Sequence, residues 1–77
     1  MTGEQYQNAI DHIGMSQVGS ARFFGVAETT PRRWISGKLT VPRPVSMLLC
    51  VMIERDISPH AVLTIEDRVA PHTVHGK

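Results

Sequence analysis

Two arginines, Arg32 and Arg33, stand immediately before the only tryptophan of the chain, Trp34. A guanidinium offers paired N–H donors in a fixed plane. That geometry matches the O6 and N7 acceptors of guanine, or two oxygens of a phosphate. Arg33 is the leading candidate to read a base edge, with Arg32, Thr29 and Glu28 beside it. Ser36, Lys38, Thr40 and Arg43 follow closely, and donors placed there would hold a phosphate backbone in register.

The charge pattern points the same way. The 77 residues carry a net charge of only +1. Between residues 16 and 43, however, five basic residues (Arg22, Arg32, Arg33, Lys38, Arg43) face one acidic residue, Glu28. The remainder has three basic and six acidic residues. Positive charge is thus concentrated where the candidate contacts lie. The plain alternative is an ordinary solvated face.

Other chemistries find little support. His72 and His75 are three apart, but no second ligand pair accompanies them and Cys50 is isolated, so no zinc site is expected. No glycine-rich phosphate loop occurs, and the carboxylates show no paired arrangement for acid–base work. The chain reads as a non-enzyme with no cofactor and no evident small-molecule ligand. A single cysteine excludes an internal disulfide and fits a reducing, bacterial cytoplasm. Cys50 itself is expected to be a small buried hydrophobe. The longest nearly apolar run, residues 45–53, is too short to cross a bilayer.

Five helices are predicted to position these residues. Thr2 with Gln5 forms a capping-box pattern opening a helix over residues 3–13, with Tyr6, Ala9, Ile10 and Ile13 on one face and Gly14 ending it. Ser16 caps a second helix, 17–24, which stops at Gly25. A third ends at Gly37. A fourth starts near Pro42 or Pro44 and runs to about Arg55. A short fifth follows Ser58 and Pro59. The domain is expected to span residues 1–66, followed by a disordered C-terminal tail over residues 67–77.

Ala21, Gly25, Val26 and Trp34 have the spacing of a helix-turn-helix, in which a sharp turn is sealed beneath by apolar side chains. Beyond it, Trp34, Ser36, Gly37, Val41, Pro42, Pro44 and Val45 spell W-x-S-G-x-x-x-V-P-x-P-V. Over residues 15–53 the chain resembles the lambda-repressor-like (Cro/CI-type) helix-turn-helix proteins of phages and bacteria. The resemblance implies a small all-α, five-helix lambda-repressor-like domain that binds double-stranded DNA. It also implies that Gln17 occupies a phosphate-contacting position. Arg22 and Thr30 join it as phosphate candidates.

Two positions depart from the family pattern. Pro31 stands where a branched apolar residue is usual, and Ala27 where a serine or threonine cap is usual. Proline suits the first position of a helix and disfavours helical geometry in the residue before it. The sequence therefore predicts Thr30 as the cap, a recognition helix from Pro31 to about Ile35, and an extended approach through Glu28 and Thr29.

The fourth helix is apolar around most of its circumference: Val45, Leu48, Leu49, Met52 and Ile53 on one face, extended by Met47, Cys50 and Val51. Two covers are open. Either the monomer covers the helix, partly through Ile57, Ala61, Val62 and Ile65, or a second subunit does. In the second case Met47, Cys50, Val51, Val62 and Ile65 form a homodimer interface. The expected function is a small sequence-specific transcriptional regulator, a repressor of phage or mobile-element type acting in the cytoplasm on the nucleoid. The alternative is an antitoxin-like or assembly module docking through the fourth helix.

Overall fold

The computed structural model describes residues 1–70. They form five helices: α1 (Gly3–Ile13), α2 (Gln17–Phe24), α3 (Thr30–Ser36), α4 (Arg43–Glu54) and α5 (Pro59–Val69). No strand occurs among the described residues, so the domain is all-α.

Local chemistry sets most boundaries. The Thr2 N–H donates to Gln5 Oε1 at 2.8 Å, and the Gln5 N–H donates to Thr2 Oγ1 at 3.1 Å, closing the expected capping box. Ser16 Oγ accepts from the Gly19 N–H at 2.9 Å, and Ser58 Oγ from the Ala61 N–H at 3.1 Å. Each bond satisfies one of the donors that a helix start leaves without a partner. At α4, Pro42 occupies the cap position with extended backbone, and Pro44 lies in the first turn.

The core lies where α1 meets α3 and α4, with α2 packed on α3. Tyr6, Ala9 and Ile10 of α1, Trp34 of α3, Val41 of the following loop and Leu49 of α4 are buried together. Ile13, Met15, Phe24, Val26, Ile35 and Val45 close around them. Removing a fully buried leucine such as Leu49 to alanine typically costs about 2–5 kcal/mol, so this cluster carries much of the stability of so small a domain.

Three expectations change. First, α5 continues to Val69, three residues beyond the boundary placed at residue 66. The residues of that last turn (Asp67, Arg68, Val69) are exposed, so no apolar periodicity marks them in the sequence. His72 and His75 lie outside the described residues. Second, Cys50 is exposed, not buried. It sits one residue after buried Leu49, about 100° further round the helix and away from the core. Third, of the two covers left open for α4, the described residues supply only part of the first: Leu49 and Met52 are buried, but the opposite side is not covered by them. Met47 remains 55% and Val51 51% exposed. In α5, Ala61 and Val62 are half-buried, Leu63 and Ile65 are exposed, and no residue is fully buried.

Candidate nucleic-acid interface

Helix α3 has seven residues and no side-chain cap. Isolated helices shorter than about 12–15 residues are marginal in water, so packing must hold this one. Its inner side carries Pro31 and Trp34, both buried, and the half-buried Ile35. The Trp34 ring meets Tyr6 of α1 edge-on at 5.2 Å and 71°, and Phe24 of α2 at 6.4 Å and 74°. Tyr6 and Phe24 close the triangle at 6.5 Å. One aromatic from each of three helices thus fixes α3, each contact adding about 0.5–1.5 kcal/mol beyond burial.

Two left-handed glycines bound the motif. Gly25 ends α2 at φ 72°, and the next residue, Val26, returns its N–H to the Ala21 carbonyl at 3.0 Å. Gly37 ends α3 at φ 87°, after which the Leu39 N–H donates to the Arg33 carbonyl at 3.1 Å and turns the chain back. Side chains disfavour both conformations, which explains why glycine stands at each.

The start of α3 differs from expectation. Thr30 is the first helical residue, not the cap, and Thr29 already has helical dihedrals, φ −79° and ψ −16°. The Thr30 N–H donates to the Ala27 carbonyl at 2.9 Å, so a backbone turn over residues 27–30 leads into the helix in place of an extended segment. The aversion of a pre-proline residue to helical geometry is a preference only. Burial of the Pro31 ring beneath the helix outweighs it. Pro31 also lacks an N–H, which leaves one donor fewer for a cap to satisfy.

This register helps the candidate residues. Thr29, Arg32, Arg33 and Ser36, spaced by three, four and seven, share one exposed helical face. Together with Lys38 they line a shallow depression of about 310 Å³. Ser36 Oγ donates to the Arg33 carbonyl at 3.2 Å. Arg32, Arg33, Lys38 and Arg43 form no ion pair with a described residue.

The remaining candidates lie outside the depression. Glu28 and Arg22, assigned to base and phosphate respectively, pair with each other at 4.0 Å across the turn. Both side chains are well exposed, and such pairs contribute about 0–1 kcal/mol. Thr30 is half-buried. Thr40 lies exposed in the loop and Arg43 exposed at the first position of α4. Gln17, at the start of α2, donates through Nε2 to Gln7 Oε1 at 3.2 Å, and Gln7 Nε2 donates to Asp11 Oδ1 at 2.9 Å. Because a carboxylate only accepts, Asp11 sets the direction of both amides.

Two supporting features escaped the sequence reading. Tyr6 and Ser20 are fully buried and bonded to each other beneath the motif. Gly3 lies against the backbone of α3. Nothing in the pattern flags Ser20, which sits among small residues in α2. Gln7 and Asp11, by contrast, have the spacing of helical neighbours and were findable.

Among the described residues no group of three or more His, Cys, Asp or Glu side chains is placed to hold a metal. No helix among them is long and apolar enough to cross a membrane. In comparisons with known proteins, no family model, no curated sequence and no solved structure matches this chain.

Proposed function

We propose that the chain binds double-stranded DNA sequence-specifically and acts as a small transcriptional regulator, with α3 presented to the major groove. The observation that carries this reading is the two-sidedness of α3: Pro31 and Trp34 are locked inward, while Arg32 and Arg33 stand outward, paired with no described residue, beside Thr29, Ser36 and Lys38. A short helix with that division is a reading head on a rigid mount. The resemblance of residues 15–53 to lambda-repressor-like proteins supports the same assignment and suggests a repressor. Arg33 and Arg32 would contact bases. Lys38, Arg43, Thr40, Ser36 and Gln17 would contact phosphates on either side. The decisive experiment is a duplex titration at several salt concentrations. Phosphate neutralisation by these cations gives a log–log slope of about −0.9 for each phosphate contacted. Binding that ignores salt, or no binding at low salt, ends this reading.

The exposed apolar residues of α4 and α5 favour a second element. Met47 and Val51 on α4, and Leu63 and Ile65 on α5, lie outside the core. A homodimer formed through Met47, Cys50, Val51, Val62 and Ile65 would cover them and place two copies of α3 on half-sites about 34–36 Å apart. The competing reading is a protein-interaction module in which another protein takes this surface. Sedimentation of the pure chain separates the two, since only self-association produces a dimer without a partner.

A further inference from the structure

We infer that Gly3 is a positioning residue for α3: it allows the first turn of α1 to close directly on the last carbonyls of α3, and so sets how Arg32, Arg33 and Ser36 are presented. The inference rests on the DNA-binding reading above. Gly3 is the first residue of α1 and is not among the glycines with positive φ, so its backbone makes no demand for glycine. Space makes the demand. A Cβ at Gly3 would fall 2.6 Å from the Trp34 carbonyl oxygen and closer still to that of Ile35. Both are backbone atoms and have no rotamer by which to move aside. Gly19 gives the contrast: a Cβ there meets only the Ser16 hydroxyl, at 3.0 Å.

The two carbonyls belong to the residues lying between Arg33 and Ser36. Helix α3 is otherwise anchored by the Pro31 ring in its first turn, the Trp34 ring in its middle and the half-buried Ile35 beside it. The α1 contact supports its C-terminal end from the backbone side, and pushing that end outward tilts the helix about Trp34. Charge assists the seat, because the first turn of α1, its partially positive end, lies against carbonyls in the last turn of α3, its partially negative end.

Gly3→Ala tests this. The expected result is a folded protein whose backbone amide signals move across residues 33–38, with a shifted Trp34 emission. Binding to the preferred duplex should weaken about tenfold, the equivalent of one lost bidentate base contact. Leu49→Val, a truncation in the α4 core, supplies a destabilised control that should keep the parent affinity. Unmoved α3 signals in Gly3→Ala overturn the inference, and so do moved signals with parent affinity. If Gly3→Ala does not fold, Thr2→Ala decides, since loss of the cap loosens the same turn without adding an atom against α3. Weaker duplex binding with moved α3 signals then supports the inference, and parent affinity refutes it. If the parent chain itself binds no duplex, the DNA reading falls, and the amide signals alone decide whether Gly3 seats α3.

Discussion

The Tyr6 hydroxyl donates to Ser20 Oγ at 2.7 Å, in a place where neither residue meets solvent. Ser20 in turn donates to the Gln17 carbonyl at 2.8 Å. The short chain of bonds ties α1 to the first turn of α2 and leaves no buried side-chain polar atom without a partner among the described residues. Tyr6→Phe should therefore cost about 0.5–1.5 kcal/mol in chemical denaturation, the net worth of one neutral hydrogen bond.

The same burial gives a pH signature. Desolvation holds the Tyr6 hydroxyl above its ordinary value of 10.0, against the smaller lowering effect of its bond to Ser20. In the unfolded chain the group ionises near 10.0, before it does so in the folded one. The neutral form thus favours the fold, fully so below pH 10, and this contribution disappears as pH rises through the folded value. Tyr6 is the only tyrosine, so tyrosinate absorbance follows it alone. The parent should lose stability above pH 10 more steeply than Tyr6→Phe. Equal slopes would mean that Tyr6 is not the group responsible.

Arg33 and Arg43 should differ in kind. Arg33→Ala is expected to lower affinity for the preferred duplex by about 1–3 kcal/mol and to relax discrimination at one position. Arg43→Ala should weaken all duplexes alike and reduce the salt slope by about one unit. Uniform loss in both variants would remove Arg33 from the base-reading role.

Neither Thr29 nor Thr30 caps α3 with its side chain. Replacing either with alanine should change stability by no more than about 0.5 kcal/mol, the range of ordinary surface substitutions. A loss near 1 kcal/mol in Thr30→Ala would restore the capping role that the sequence suggested.

Asp56 joins α4 to α5 with φ 54°, the one non-glycine residue in the left-handed region among those described. Asp56→Val should cost about 1–2 kcal/mol, because a β-branched side chain tolerates this conformation poorly. Asp56→Gly should leave stability within about 1 kcal/mol of the parent, the strain relieved being offset by greater freedom in the unfolded chain. Equal melting temperatures for the two variants would show that this turn relaxes.

Val51→Glu probes the uncovered side of α4. Val51 is half exposed and lies outside the core cluster, so the variant should remain folded. If a second copy binds there, sedimentation at micromolar concentration should show a dimer for the parent and a monomer for the variant. A monomeric parent excludes self-association as the cover for this face.

The helices were legible in the sequence because their ends are written in local chemistry: Thr2 with Gln5, Ser16, Ser58, and the glycines at 14, 25 and 37. The inward roles of Tyr6, Ile10, Ala21 and Trp34 followed from periodicity and motif spacing. What escaped depends on tertiary contact. The register of α3 turned on the burial of Pro31, which local preference weighs wrongly. The exposure of Cys50 followed from which side of α4 faces α1, and an apolar run does not reveal that. Gly3 looks like any helix-start glycine until α3 lies against it. Of the candidate residues, Thr29, Arg32, Arg33, Ser36 and Lys38 line one depression, Thr30 does not, and Glu28 and Arg22 engage each other.

The triangle of Tyr6, Phe24 and Trp34 makes the mount of α3 independent of its outward face. Not one of Thr29, Arg32, Arg33 and Ser36 contributes a buried atom cluster to that mount. Those four positions can therefore be varied together, proline and glycine excepted, while the scaffold stays intact. If α3 reads DNA as proposed, a library varied only there would hold many outward faces on one constant frame, and selection on it would sample recognition with little change in the core.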